Sequence, residues 1–333
     1  MRRISQALLC LGLMAIGFAC SPPTSKFLIP RPDPASKVKD SVGDIKLIFK
    51  PTVDILFVVD DSGSMGGHQT NLATNIDLFT SGLGKTQILD YHIGVTTTDF
   101  GFSTSGTLRG FPNFVDKNTP DGLIRLRNNL IVGTSGSGTE SVFKPTIDAL
   151  SEPNLSGSNK GFYRPEAYLA LVFVTDAVDQ SDYQAPDTYN FLMNLKDWDR
   201  EKVISYGVII PSSEKNCDRD DSGETPLKIE EFLHMTKGIS FSLCAPDYGQ
   251  RLAAIGDDLV RRVGMFIPMK QIPVVKTIQV KYGTQIIEED VDAGWSYDPG
   301  RVGINLGPSL ALEEQPAGTE LEVTFVPALL EAP

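Results

Sequence analysis

Three runs constrain this chain more than any others: VDILFVV at Val53–Val59, YLALVFVT at Tyr168–Thr175 and VISYGVII at Val203–Ile210. Each is almost continuously apolar and rich in branched side chains. A strand of that kind must be covered on both faces, as a parallel strand between helix layers is. HIGVTTT at His92–Thr98 reads as a further strand. Helical patterns fall between the strands. Leu72, Ile76, Leu78, Phe79 and Leu83 mark one apolar face, and Val142, Ile147 and Leu150 mark another within Ser141–Leu150. Asp187–Trp198 carries Tyr189, Phe191, Leu192 and Leu195, while Glu230–Met235 and Tyr248–Val263 continue the alternation. Strands alternating with helices predict a doubly wound, mostly parallel α/β sheet over residues 53–265. The 41% hydrophobic and 22% charged content is that of a globular chain.

The pattern changes beyond about residue 270. Val274–Tyr282, Val302–Leu306 and Leu321–Val326 alternate as strands between Gly-, Pro- and Asp-rich turns. Residues 270–333 are too few to bury these strands well alone. IKLIF at Ile45–Phe49 is stranded too, because Pro51 separates it from the first buried run. Pairing segment 44–50 with Leu321–Val326 serves both. The α/β domain then becomes an insertion in a small β-rich unit, with Asp60 at the far pole.

The first residues read as an address. Arg2 and Arg3 precede an apolar run, Ala7–Ala19, too short to span the roughly 30 Å core of a bilayer. Gly17-Phe18-Ala19-Cys20 resembles the end of a bacterial lipoprotein signal peptide, although no Leu stands two places before Ala19. The resemblance implies cleavage after residue 19 and a lipid on Cys20, with 20–43 as a Pro-rich tether. An ordinary cleaved signal peptide is the alternative. Both place the protein outside the cytoplasm, and the first implies the cell envelope, at the outer membrane. Cys217 and Cys244 are then the two thiols left in the folded body, and a disulfide between them is expected, worth about 3 kcal/mol. Losing Arg2 and Arg3 takes the net charge from −12 to −14, which argues against nucleic acid and against an anionic lipid surface. Membrane contact would run through the lipid anchor alone.

Asp60-Asp61-Ser62-Gly63-Ser64-Met65 follows the first buried strand. D-x-S-x-S sets one carboxylate and two hydroxyls on a tight loop at a strand's carboxyl end, where open α/β sheets bind ligands. A small hard cation wants such oxygens. Gly136-Ser137-Gly138-Thr139 offers another hydroxyl ahead of a helix, and Asp176 ends the second apolar run. The plainer reading makes Ser62, Ser64 and Thr139 helix caps. In this order and context, the set resembles the metal-ion-dependent adhesion site of von Willebrand factor type A domains. Asp176 is followed by Ala177, where that family often has Gly or an acid. The resemblance implies Mg²⁺ or Mn²⁺, with Ca²⁺ second, held by Asp60, Ser62, Ser64, Thr139 and Asp176. It also implies a partner protein that supplies an acidic side chain to the metal. Asp61, Asp179 and Asp182 read as solvated acids near the rim.

Competing signals are weaker. Asp218–Gly223 begins like a calcium loop, but the twelfth position is Ile229 and no helix leads in. Neither serine sits in a G-x-S-x-G elbow, and of His68, His92 and His234 only His68 is near them in sequence. No enzymatic activity is therefore expected. The expected role is metal-dependent binding of a partner. The alternative is a structural or assembly subunit of an envelope complex that uses the same metal for a permanent contact.

Overall fold

A computed structural model describes residues 44–85, 88–100, 104–217, 223–316 and 318–328. The signal segment 1–19, Cys20, the tether to residue 43 and the first residues of the calcium-like loop (218–222) lie outside the described residues. In chain order the elements begin with β1 (Ile45–Phe49), β2 (Thr52–Val59), α1 (Gly66–Lys85), β3 (Asp90–Thr97), β4 (Phe114–Asp116), α2 (Gly122–Leu130) and α3 (Phe143–Ala149). They continue with β5 (Tyr168–Thr175), α4 (Ala185–Leu195), β6 (Val203–Ile209), α5 (Leu227–Met235), β7 (Ile239–Ser242) and α6 (Tyr248–Gly264). The last are β8 (Phe266–Pro268), β9 (Gln279–Tyr282), β10 (Gln285–Ile287), β11 (Trp295–Asp298), β12 (Gly303–Leu306) and β13 (Leu321–Phe325).

The main sheet has the order β4-β3-β2-β5-β6-β7, parallel except for β4 at one edge. Alternate residues of β2 face opposite layers. Val53, Ile55, Phe57 and Val59 pack with Leu72, Ile76 and Phe79 of α1 and with Leu252 and Leu259 of α6. Leu56 and Val58 pack on the other side with Phe143 of α3, Leu192 of α4 and Phe232 of α5. Both faces of β2 are therefore apolar, and the continuous run is the consequence. The chain turns to opposite sides of β2, to β3 on one and β5 on the other, so the topological switch lies at β2 and β5. Helices α1 and α6 approach closely because position 256 is glycine: a Cβ there would stand 2.5 Å from the Phe79 carbonyl oxygen.

The β-rich part forms two further sheets, β1-β13-β9-β10 and β11-β12-β8. β1 runs antiparallel to β13, with Ile45 opposite Phe325 and Phe49 opposite Leu321. Val280, Tyr282, Trp295, Ile304, Val323 and Phe325 make its core, joined by Ile88 from the α/β body.

The structure departs from the sequence reading locally. Leu78, expected inward, is exposed. Val274–Tyr282 is not one strand: Val275–Thr277 is a tight helical turn, closed by Thr277 donating from N and Oγ1 to the Val274 carbonyl, and only Gln279–Tyr282 pairs. β4, α2 and β7 carry no signal long enough to read. β7 is a four-residue edge strand in which Phe241 alone is buried.

Candidate metal centre

Asp60 leaves β2 at the switch point, and its amide donates to the Val174 carbonyl of β5 at 2.9 Å. The loop after it turns on its own side chain. Ser62 N donates to Asp60 Oδ1 at 2.8 Å, an Asx-type turn, and Met65 sinks into the core three residues later. The hydroxyls of Ser62 and Ser64 come to 3.1 Å from each other on the single turn between. Thr175 Oγ1 donates to Asp60 Oδ2 at 2.6 Å and accepts from Ala177 N at 2.9 Å, so it orients Asp60 and shapes the turn that carries Asp176.

Asp60 is completely buried, and Asp176 nearly so. Burial, and to a smaller degree the negative charge of Asp176, push the Asp60 carboxyl above its ordinary range; donors from Thr175 and Ser62 pull it back. Asp61 is pushed up to about 6 by burial, then by Asp99 and Asp60. Buried acids thus lie close to one another, with hydroxyls beside Asp60. Among the described residues no three His, Cys, Asp or Glu side chains gather as a metal cluster. A cation here would take part of its shell from hydroxyls.

Two of the candidate donors have the spacing that a small hard ion asks of neighbouring ligands. Adjacent ligands around an octahedral ion at 2.0–2.1 Å lie about 3 Å apart. The serine oxygens have that spacing, which also serves a hydrogen bond between them.

Thr139 stands exposed on the loop that follows α2. That loop is tied down at several points. Gly136 N donates to the Asp61 carbonyl at 2.8 Å, Ser137 N to Asp99 Oδ1 at 2.8 Å, and Thr139 N to Ser137 Oγ at 3.0 Å. Gly136 also has to be glycine, because a Cβ there would lie 2.5 Å from the Asp61 carboxyl carbon.

The supposed rim acids divide. Asp182 is exposed as expected. Asp179 instead is buried: Oδ2 accepts from Ser141 Oγ, Val142 N and Phe143 N at the start of α3, and Oδ1 accepts from Ser181 N and Oγ. Asp61 is buried as well and faces Thr98 and Gly136, not solvent. Sequence reasoning passed over Thr175, Asp99 and Gln69. Gln69 carried a usable signal, since it lies three residues before Leu72 on the inward stripe of α1 and is only 1% exposed.

Of the other groups, Cys217 and Cys244 form the expected disulfide, with their Cα atoms 5.7 Å apart. His92 lies away from the serines, within hydrogen-bond distance of the Phe162 carbonyl and beside Asp54.

No family model and no curated protein sequence matches this chain. Among solved structures it is similar to the pilus adhesin SpaC from Lactobacillus rhamnosus GG in its open conformation, at 12% identity over 85% of this chain and 40% of that one, with a TM-score of 0.41. A von Willebrand factor type A protein from Catenulispora acidiphila gives 12% identity, 86% and 61% coverage, and a TM-score of 0.37. The conserved hypothetical protein BatB from Bacteroides thetaiotaomicron gives 16% identity, 63% and 98% coverage, and 0.37. The chain spans about two fifths of the adhesin's length.

Proposed function

We propose that this chain carries a von Willebrand factor type A-like domain that binds a partner protein through one Mg²⁺ or Mn²⁺ ion. Asp60, Ser62, Ser64, Thr139 and Asp176 would hold the ion, and an acidic side chain of the partner would complete its shell. The observation that carries this reading is the pair of serine hydroxyls, 3.1 Å apart and beside two buried acids at the switch point of the sheet. The ion would supply positive charge where burial now penalises Asp60 and Asp61. The chain's own residues would supply position: Thr175 orients Asp60, and Asp61 docks the Thr139 loop.

Binding without catalysis is the proposed role. Ser62 and Ser64 are bonded to each other, and His92 is committed elsewhere. The lipoprotein-like N-terminus supports anchorage in the cell envelope, at the outer membrane, with the ion site offered to another envelope or surface protein.

Isothermal titration of the protein with Mn²⁺ and Mg²⁺ tests the site. One ion should bind, and Asp60→Ala should abolish binding while circular dichroism is retained. At about 100 times the dissociation constant, the metal should add about 2.7 kcal/mol of stability. Unchanged affinity in Asp60→Ala would refute the assignment.

A further inference from the structure

We infer that Gln69, which carries no formal charge and is not one of the proposed ligands, is the positioning residue that assembles this site. The inference rests on the metal reading above. Its basis is a set of three bonds made by one buried amide. Gln69 Nε2 donates to the Asp60 carbonyl at 2.8 Å and to the Gly133 carbonyl at 2.6 Å, while Gly133 N donates back to Gln69 Oε1 at 3.2 Å. Both N–H donors are used, and the oxygen is used as well. Turning the amide over would set its oxygen against two carbonyls, so its orientation is determined.

Those bonds join the two halves of the proposed coordination shell. On one side is the end of β2, from which the Ser62–Ser64 turn departs. On the other is the segment Gly133-Thr134-Ser135-Gly136-Ser137-Gly138 leading to Thr139. Three glycines in six residues give that segment little conformational preference of its own, and Gly133 sits at a φ of +98°, which favours glycine. Its course is therefore set by tethers. Asp61 and Asp99 hold its middle through single bonds, whereas Gln69 grips its first residue by both N–H and C=O. Among the described residues, Gln69 is also the only side chain of α1 that hydrogen-bonds to this segment. It registers the helix, the strand end and the loop against one another.

The expected consequence is a loss of metal affinity without loss of any ligand. Groups that orient ligands without touching the ion typically govern affinity by about 10–100-fold. Gln69→Met keeps the length and removes all three bonds. Gln69→Glu keeps the acceptor for Gly133 N and turns both carbonyl contacts repulsive. Both variants should fold, as judged by circular dichroism, and bind Mn²⁺ about 10–100-fold more weakly in isothermal titration, with Gln69→Glu no better than Gln69→Met. A purely structural role would lower the melting temperature in chelator and leave the affinity of the folded variants alone. Wild-type affinity in a folded variant overturns the inference and leaves the metal reading standing. A wild-type protein that binds neither Mn²⁺ nor Mg²⁺ overturns both. Should neither variant fold, hydrogen exchange on the wild-type protein decides. Mn²⁺ should slow exchange in residues 60–66 and 131–139 together, and protection confined to 60–66 would overturn the coupling.

Discussion

Asp54 sits inside the apolar run of β2 and is completely buried, so removing its cation should destabilise the fold strongly and in a pH-dependent way. Arg164 grips it twice: the backbone N donates to Oδ2 at 2.6 Å and Nε to Oδ1 at 2.8 Å. The same guanidinium donates to the Val53 carbonyl at 3.0 Å and meets Asp90 at 3.3 Å. Burial still outweighs this attraction and holds the Asp54 carboxyl above its ordinary value. Arg164→Leu would leave a buried carboxylate with no guanidinium, a change that typically costs about 3–5 kcal/mol. At about 2–4 °C per kcal/mol for a chain of this size class, the melting temperature should fall by roughly 6–20 °C. The sign of the pH effect follows from the raised carboxyl. Above the unfolded value of about 4, the folded variant retains a proton that the unfolded chain releases, so its stability falls as pH rises. The deficit relative to wild type should be largest near pH 7.5 and smaller near about pH 5. Urea unfolding at the two pH values measures it. Asp54→Leu combined with Arg164→Leu should recover part of the loss, because no uncompensated charge remains. A deficit below about 1 kcal/mol, or one equal at both pH values, would refute the reasoning.

Two other outcomes are expected. Replacing Cys217 and Cys244 together by Ser opens a loop of sequence separation 27 and should cost about 3–4 kcal/mol in chemical denaturation, with Mn²⁺ affinity unchanged. Gly136→Ala places a methyl group against the Asp61 carboxyl and must displace the Thr139 loop, so Mn²⁺ affinity should fall about tenfold or more in titration while the core strands keep slow hydrogen exchange.

The α/β body was legible in the sequence because burial on both faces writes itself into every residue of a strand. Val53–Val59, Tyr168–Thr175 and Val203–Ile210 could be nothing else once helical patterns fell between them, and Ile45–Phe49 and Leu321–Phe325 do pair. The turn at D-x-S-x-S was legible too, since an Asp at a strand end readily accepts from the amide two residues on, as Asp60 does from Ser62. Short elements were not. β7 and β4 are strands because a neighbour offers an edge, which no local pattern records. The fate of the acids was also undetermined. Asp179 and Asp182 stand three residues apart on one loop, yet one caps α3 and the other meets water. Asp54 interrupts an apolar run and is tolerated only because Arg164, 110 residues away, folds back onto it. Charges and short strands depend on partners distant in sequence, and only the tertiary structure decides which partners arrive.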